Sequence, residues 1–229
     1  LSHSYGTFLS SGYKKSLVVS IDGVGDKVST TISKFEIKNK KIFNKIIYSE
    51  GLDKSLGDFY GVFTNYLGFR LNEGEYKVMG MSAYGTPKYD LSKIITVDSK
   101  TGTIISNLNK IISRKIVTNI NEPIYDEKKI FNLIKVKRRL PSEKIRKEHF
   151  NLASSVQKQF TYVYTNLINF YAKKENLNHL CLAGGCALNC LANYELLNNN
   201  FKKIYVMPAS SDRGLSLCNA LYSSTKNKI

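Results

Sequence analysis

Long apolar runs are absent from this 229-residue chain. One of the longest candidates, residues 16–24, is broken by Asp22 and Gly23, far short of the roughly 20 residues a membrane helix needs. Cysteines are few: Cys181, Cys186, Cys190 and Cys218, with no CxxC pair. That excludes a disulfide scaffold and argues against a zinc site; small buried thiols are the expectation. Histidine is scarcer still, at His3, His149 and His179, which leaves little with which to build a Cys–His nucleophile. There is no internal repeat and no low-complexity linker. The chain opens Leu1-Ser2-His3, with neither a basic, apolar leader nor an initiator methionine. The expectations are a cytoplasmic location and a chain cut from a longer one.

Acidic residues are also in short supply. Lys plus Arg number 34 against 18 Asp plus Glu, a net charge of +16. Such a balance fits polyanions or anionic substrates such as nucleotides and acyl phosphates. A composition rich in Lys, Asn, Ile and Tyr explains it equally well. The densest basic stretch is Lys135-Val136-Lys137-Arg138-Arg139. Nucleic-acid readers interleave aromatics with such charges, and here the aromatics lie elsewhere.

What is present is enough to fold. Hydrophobic residues make up 42% and charged residues 23%, which excludes wholesale disorder. The length suits one large domain or two small ones.

Residues 15–22 (KSLVVSID) read as a buried strand, followed by a tight turn at Gly23-Val24-Gly25-Asp26. Residues 27–37 alternate and are β-branched, so the pair reads as a hairpin, with a third strand at 42–49. Helical spacing follows at 55–69 and within 73–84, ended by Gly85-Thr86-Pro87. Residues 91–140, with strand-like pieces at 93–97 and 103–106, are expected to be a peripheral insertion. From 146 to 175 there is no Gly or Pro, and apolar residues recur every three or four positions, a long helix. A strand at 179–183, a helix at 187–197 ending in Asn198-Asn199-Asn200, a strand at 203–207 and a helix at 213–223 close the chain. This order predicts an α/β fold, an RNase H-like lobe of the kind actin-like and sugar-kinase-like ATPases use twice.

Four groups of residues carry chemistry. Asp22-Gly23-Val24-Gly25-Asp26 could bring backbone close to a phosphate, or be an ordinary Asp-Gly turn. Ala183-Gly184-Gly185-Cys186-Ala187-Leu188-Asn189 runs from strand to helix start, which suits an anion site or merely close packing. The stretch from Glu73 to Gly85, with Lys77, reads physically as a solvated, tightly packed helix. Finally His3, Asp22 and Asp212 offer one imidazole and two carboxylates, a set able to ligate a divalent transition metal; the plainer role for Asp212 is a helix N-cap.

HSYGTFLSSGYKKSLVVSIDGVGD, GEYKVMGMSAYG, LAGGCALNCLAN and PASSDRGLSLCNALY occur in this order along the chain. Together they resemble the NodU/CmcH-type carbamoyltransferases, with only residues 91–139 family-neutral. The resemblance implies an actin-like ATPase fold joined to a YrdC-like domain. It implies that carbamoyl phosphate and ATP yield a carbamoyl-adenylate, whose carbamoyl group passes to a hydroxyl of a sugar or other small molecule. It also implies a divalent metal, iron in the family's usual form, beside the adenylate phosphate. Carried over, His3 is the last histidine of an HHxxHA motif, and Asp22 and Asp212 are carboxylate ligands. Gly23, Gly25, Asp26, Lys77, Gly184, Gly185 and Asn189 are the expected phosphate or nucleotide contacts. No base for the acceptor can be named.

The sequence departs from that pattern in places. The upstream histidine pair is absent, Ser4 replaces Ala, and Ser211-Asp212-Arg213 sets a cation beside the third ligand. Residues 1–14 are expected to be the end of a metal-bearing helix and a linker from a missing first lobe. Residues 15–229 are expected to be the second lobe, inactive without the first lobe and the YrdC-like domain. A tRNA threonylcarbamoyl-transfer protein using Lys135 to Arg139, and a non-catalytic nucleotide- or nucleic-acid-binding fragment, are the alternatives.

Overall fold

A computed structural model describes residues 1–112, 125–198 and 201–226. The basic, Asn-containing stretch 113–124 and the Asn199-Asn200 end of the asparagine run lie outside the described residues.

The framework is a mixed α/β fold on one five-stranded sheet, ordered β3-β2-β1-β6-β7. β1 (Lys15–Ile21) lies at its centre and is buried along nearly its whole length, which is why it reads as a continuous apolar run. β2 (Thr30–Lys38) pairs with it antiparallel, and β3 (Lys41–Glu50) antiparallel with β2. Asn39 and Lys40 connect β2 to β3 with both φ angles positive, at 50° and 61°, as a two-residue hairpin turn of matching twist requires. On the other side β6 (His179–Ala183) runs parallel to β1, and β7 (Lys203–Val206) parallel to β6.

The alternation of β1 separates two cores. Leu17, Val19 and Ile21 face the larger one, built with α2 (Leu56–Tyr66) and the 28-residue α5 (Lys147–Lys174). Val18 faces a smaller cluster with Phe8, Phe35 and Cys181. Phe8 comes from α1 (Ser2–Ser11), which ends at Gly12 in the left-handed conformation, φ 70°. α1 packs against α7 (Leu215–Lys226), where Gly6 lies so close to Cys218 that no Cβ fits. The sheet is thus a middle layer between helices.

The expected strands and helices appear with ends shifted by a few residues, and three details differ. The β1–β2 connection is not a tight turn but an eight-residue loop, 22–29, braced by the start of α2. The helix expected from 187 starts later: a short 3-10 turn, Gly185–Leu188, intervenes, and α6 is Cys190–Leu197. The segment expected at the periphery contributes to the main core. Its hairpin, β4 (Ile95–Asp98) with β5 (Thr103–Ser106), buries Ile95, Val97 and Ile104 there. A helix not anticipated, α4 (Glu127–Ile134), adds Ile130 and Ile134 and is capped by Asp126. Between α2 and this segment sits α3 (Glu75–Ser82), packed on α5. Among the described residues no helix is long and apolar enough to cross a membrane.

Candidate metal and nucleotide site at the strand ends

The three parallel strands, β1, β6 and β7, all end on one side, and their exits set the site. Ile21 ends β1 and hands the chain to Asp22, while Ala183 ends β6 and hands it to Gly184. Gly184 adopts φ +84°, and a Cβ there would strike the Ile21 carbonyl oxygen; only glycine lets the two exits approach this closely. After β7, Ser210 accepts the Gly184 amide through its carbonyl at 2.8 Å and brings Asp212 alongside.

α1 delivers the imidazole. His3 Nε2 lies 3.4 Å from Asp22 Oδ2 and 3.2 Å from Asp212 Oδ1. One ligand atom from each of the three residues falls within 4.8 Å of the others. The two acids are unlike. Asp212 is 77% exposed in a 3-10 turn, whereas the Asp22 side chain is only 19% exposed. Asp22 Oδ1 accepts a hydrogen bond from the Gly185 amide, which fixes the carboxylate and leaves Oδ2 toward His3. Burial pushes the Asp22 carboxyl above its ordinary range, Gly185 and His3 oppose that, and Asp212 adds to it. A divalent cation between the carboxylates would relieve both burial and repulsion. The donor set, one imidazole nitrogen and two carboxylate oxygens, fits a transition metal such as iron.

The other expected contacts divide. Gly23, Gly25 and Asp26 lie on the loop beside the cluster, with Gly25 and Asp26 exposed. The Gly184 and Gly185 amides are engaged by Ser210 and Asp22, so these glycines shape the site rather than offer free donors to a phosphate. Asn189 is 8% exposed and caps α6 by accepting from the Ala192 amide. Its side-chain amide pairs with Gln157, which also accepts from the Tyr60 hydroxyl at 2.9 Å. That network ties the glycine turn to α5 and α2 and engages both the oxygen and the nitrogen of the Asn189 side-chain amide. Lys77 is exposed, its ammonium 5.7 Å from the Phe69 ring centroid. Its helix touches α6 where Met79 Sδ lies 3.8 Å from Cys190 Sγ.

Beside the glycine turn runs an open, largely apolar groove of about 550 Å³, lined among others by Ala187, Leu188, Tyr194, Ile204, Met207 and Pro208. Cys190 also lines it and is exposed, whereas the other three cysteines are buried as expected.

Sequence reasoning missed the residues that brace the site. Ser55 caps α2, and its hydroxyl also donates to the Asp22 and Gly23 carbonyls at 3.2 and 2.6 Å. Gly57 lets α2 lie directly against the Gly23 backbone. Ser55 preceding an apolar helical run was the available signal. The basic stretch corrects an expectation: Arg139 is 5% exposed, not on the surface. Its guanidinium donates to the Leu67, Gly68 and Glu143 carbonyls and stacks over Phe69.

Comparison with known proteins adds the following. Residues 1–221 match the family model described as carbamoyltransferase N-terminus. An uncharacterized protein of Synechocystis is 34% identical over 96% of this chain and 35% of its own length. The nodulation protein NolO of Bradyrhizobium diazoefficiens is 30% identical over 98% of this chain and 37% of its own. Nodulation protein NolNO of Sinorhizobium fredii is 29% identical over 99% of this chain and 30% of its own. The chain thus spans about a third of these relatives' length. Among solved structures, component A of the Acidaminococcus fermentans (R)-2-hydroxyglutaryl-CoA dehydratase aligns at TM-score 0.48 and 15% identity, covering 98% of this chain and 68% of that one. T. kodakarensis HypF aligns at 0.47 and 12%, covering 99% of this chain and 36% of that one. At these scores the likeness carries no argument.

Proposed function

The chain belongs to the carbamoyltransferase N-terminal family, and from that premise we propose that its strand-end site serves an ATP-dependent O-carbamoyl transfer. Water releases inorganic phosphate from carbamoyl phosphate to leave carbamate, the carbamate oxygen attacks the α-phosphorus of ATP with loss of pyrophosphate, and a hydroxyl of a sugar or other small molecule receives the carbamoyl group from the resulting carbamoyl-adenylate. In the last step the acceptor oxygen bonds to the carbamoyl carbon, the anhydride bond to AMP breaks, AMP leaves and the hydroxyl proton passes to solvent. AMP is already a good leaving group, so orientation and charge stabilisation are the protein's main tasks.

The observation that carries this reading is the meeting of His3, Asp22 and Asp212 beside the Gly184-Gly185 turn. These three would hold a divalent metal, which when bound supplies Lewis-acid polarisation and neutralises phosphate charge. The Gly185 amide keeps Asp22 in its ligating orientation. Gly23, Gly25 and Asp26 would meet the phosphates from the neighbouring loop. The apolar groove beside the turn has room for a purine ring, with Leu188 and Met207 on its walls. Lys77 is an exposed cation on the adjoining helix.

The sheet order, with β2 antiparallel and β1, β6 and β7 parallel, supports an RNase H-like lobe of the actin-type ATPases. A first lobe and a YrdC-like domain would then complete the enzyme, and this chain alone should not turn over. Against a tRNA substrate, Arg139 of the basic stretch faces inward, leaving Lys135 and Lys137 as its exposed cations.

The test is carbamoylation by the intact protein, supplied with carbamoyl phosphate, ATP and a hydroxyl acceptor. Product should form with matching pyrophosphate release, and Asp22→Asn should abolish both. Full product formation without ATP, or undiminished activity in Asp22→Asn, would falsify the assignment.

A further inference from the structure

The opposite end of the sheet has a different character, independent of the transferase reading. There β1, β6 and β7 begin, β2 ends, and α5 delivers the chain to β6. Lys14 and Lys15 lead into β1, and Lys202 and Lys203 into β7. The β2–β3 hairpin carries Lys38, Lys40, Lys41 and Lys45, and Lys173 and Lys174 close α5. All ten are exposed. The acids on these segments are Glu36 and Glu175, and each already has a lysine partner, Lys38 at 3.0 Å and Lys34 at 3.4 Å. Glu36 thus answers Lys38, and among the described residues these segments carry nine further exposed lysines against no other acid of their own.

Phe43, 53% exposed, shares a face of the hairpin with Lys41 and Lys45, while Ile37, 39% exposed, and farther along β3 Ile46, 50% exposed, lie on the other face. The hairpin tip extends past its neighbour: the last backbone bond to the β1 side is the Ile37 amide donating to the Lys14 carbonyl at 2.8 Å, whereas β2 and β3 continue to Lys38 opposite Lys41. At the tip Lys40 occupies a left-handed position where glycine is favoured, keeping a cation at a strained place.

We propose that this end docks on an anionic phospholipid surface, with the β2–β3 hairpin leading. Lysine suits headgroups: a point charge on a long apolar stem can stay in the interface while neighbouring isoleucine and phenylalanine side chains reach the acyl boundary. Nucleic acid is less well served. None of the ten cations is an arginine able to fork onto phosphates or bases, and Phe43 is the one exposed ring on the hairpin, Phe35 and Tyr48 being buried, where a single-stranded nucleic acid needs a series of stacking platforms.

The experiment is flotation of the intact polypeptide with vesicles of phosphatidylcholine alone, or with about one-third phosphatidylglycerol at about 0.1 M salt. Binding is expected only to the anionic vesicles, falling steeply as salt rises. Lys41→Glu and Lys45→Glu should each weaken it at least about five-fold. Lys40→Gly removes a cation while relieving its backbone, so it should weaken binding with no loss of melting temperature. Phe43→Ser should weaken binding most visibly at high salt. The proposal is overturned by equal binding to both vesicles, by no binding to the anionic ones, by charge reversal without effect, or by tighter binding to mixed-sequence RNA at matched phosphate.

Discussion

The two ends of one sheet differ in charge and in how they are built. Where the parallel strands end, Asp22 and Asp212 gather with His3, and Asp26 lies on the adjoining loop. Where they start, lysine prevails. The acidic end is over-determined. Asp22 is held by Gly185, Gly184 by Ser210, and the loop carbonyls by Ser55. The basic end is made of exposed, mostly unconstrained side chains. Substitutions at the buried groups of the first should therefore change folding and ligand binding together, and substitutions at the second should change vesicle binding with little change in stability.

The largest expected effect is Gly184→Val. A Cβ there strikes the Ile21 carbonyl and φ is +84°, so denaturant unfolding should show a loss of at least about 3 kcal/mol. Arg139→Ala comes next, at about 2–3 kcal/mol by the same measurement, because buried carbonyls lose their donor. Lys45→Glu, a cation facing outward, should be neutral within about 0.5 kcal/mol.

Within the acidic end the comparison sharpens further. Asp22→Ala should cost about 1 kcal/mol of stability, since the Gly185 amide is orphaned. Asp212→Asn should cost none, because that side chain is exposed. Both should lower metal affinity by at least about 100-fold in calorimetry.

The smallest effect is one of pH. Burial holds the His149 imidazole below its ordinary value, and its Nδ1 accepts the Arg146 amide at 3.0 Å. The unfolded chain therefore binds a proton that the folded chain refuses. Its contribution is complete above about pH 6.5 and is lost as pH falls toward the folded value. His149→Asn should flatten that part of the stability–pH curve, read from urea midpoints across pH 5–7.

Much of this was legible in the residues. β1 and β6 announced themselves as apolar runs, and α5 by 3.6-residue spacing without Gly or Pro. The meeting of His3, Asp22 and Asp212 was expected from resemblance, since residues 209 positions apart carry no local sign of contact. What stayed hidden depended on tertiary partners. Asn189 looked like a ligand contact, but Gln157 engages it and Tyr60 in turn holds Gln157, and neither pairing has a spacing to read. α4 was masked by charge around its apolar pair, and the basic stretch 135–139 gave no hint that Arg139 points inward. Glycine amides expected to face a phosphate turned out to hold the site together instead.

The central claim is that one imidazole and two carboxylates share one ion. Calorimetric titration of Mn²⁺ into the folded chain tests it most directly. The account predicts one ion per chain, with binding lost in His3→Ala, Asp22→Asn and Asp212→Asn and kept in Asp53→Asn. No saturable binding, or equal binding by all four variants, would contradict it.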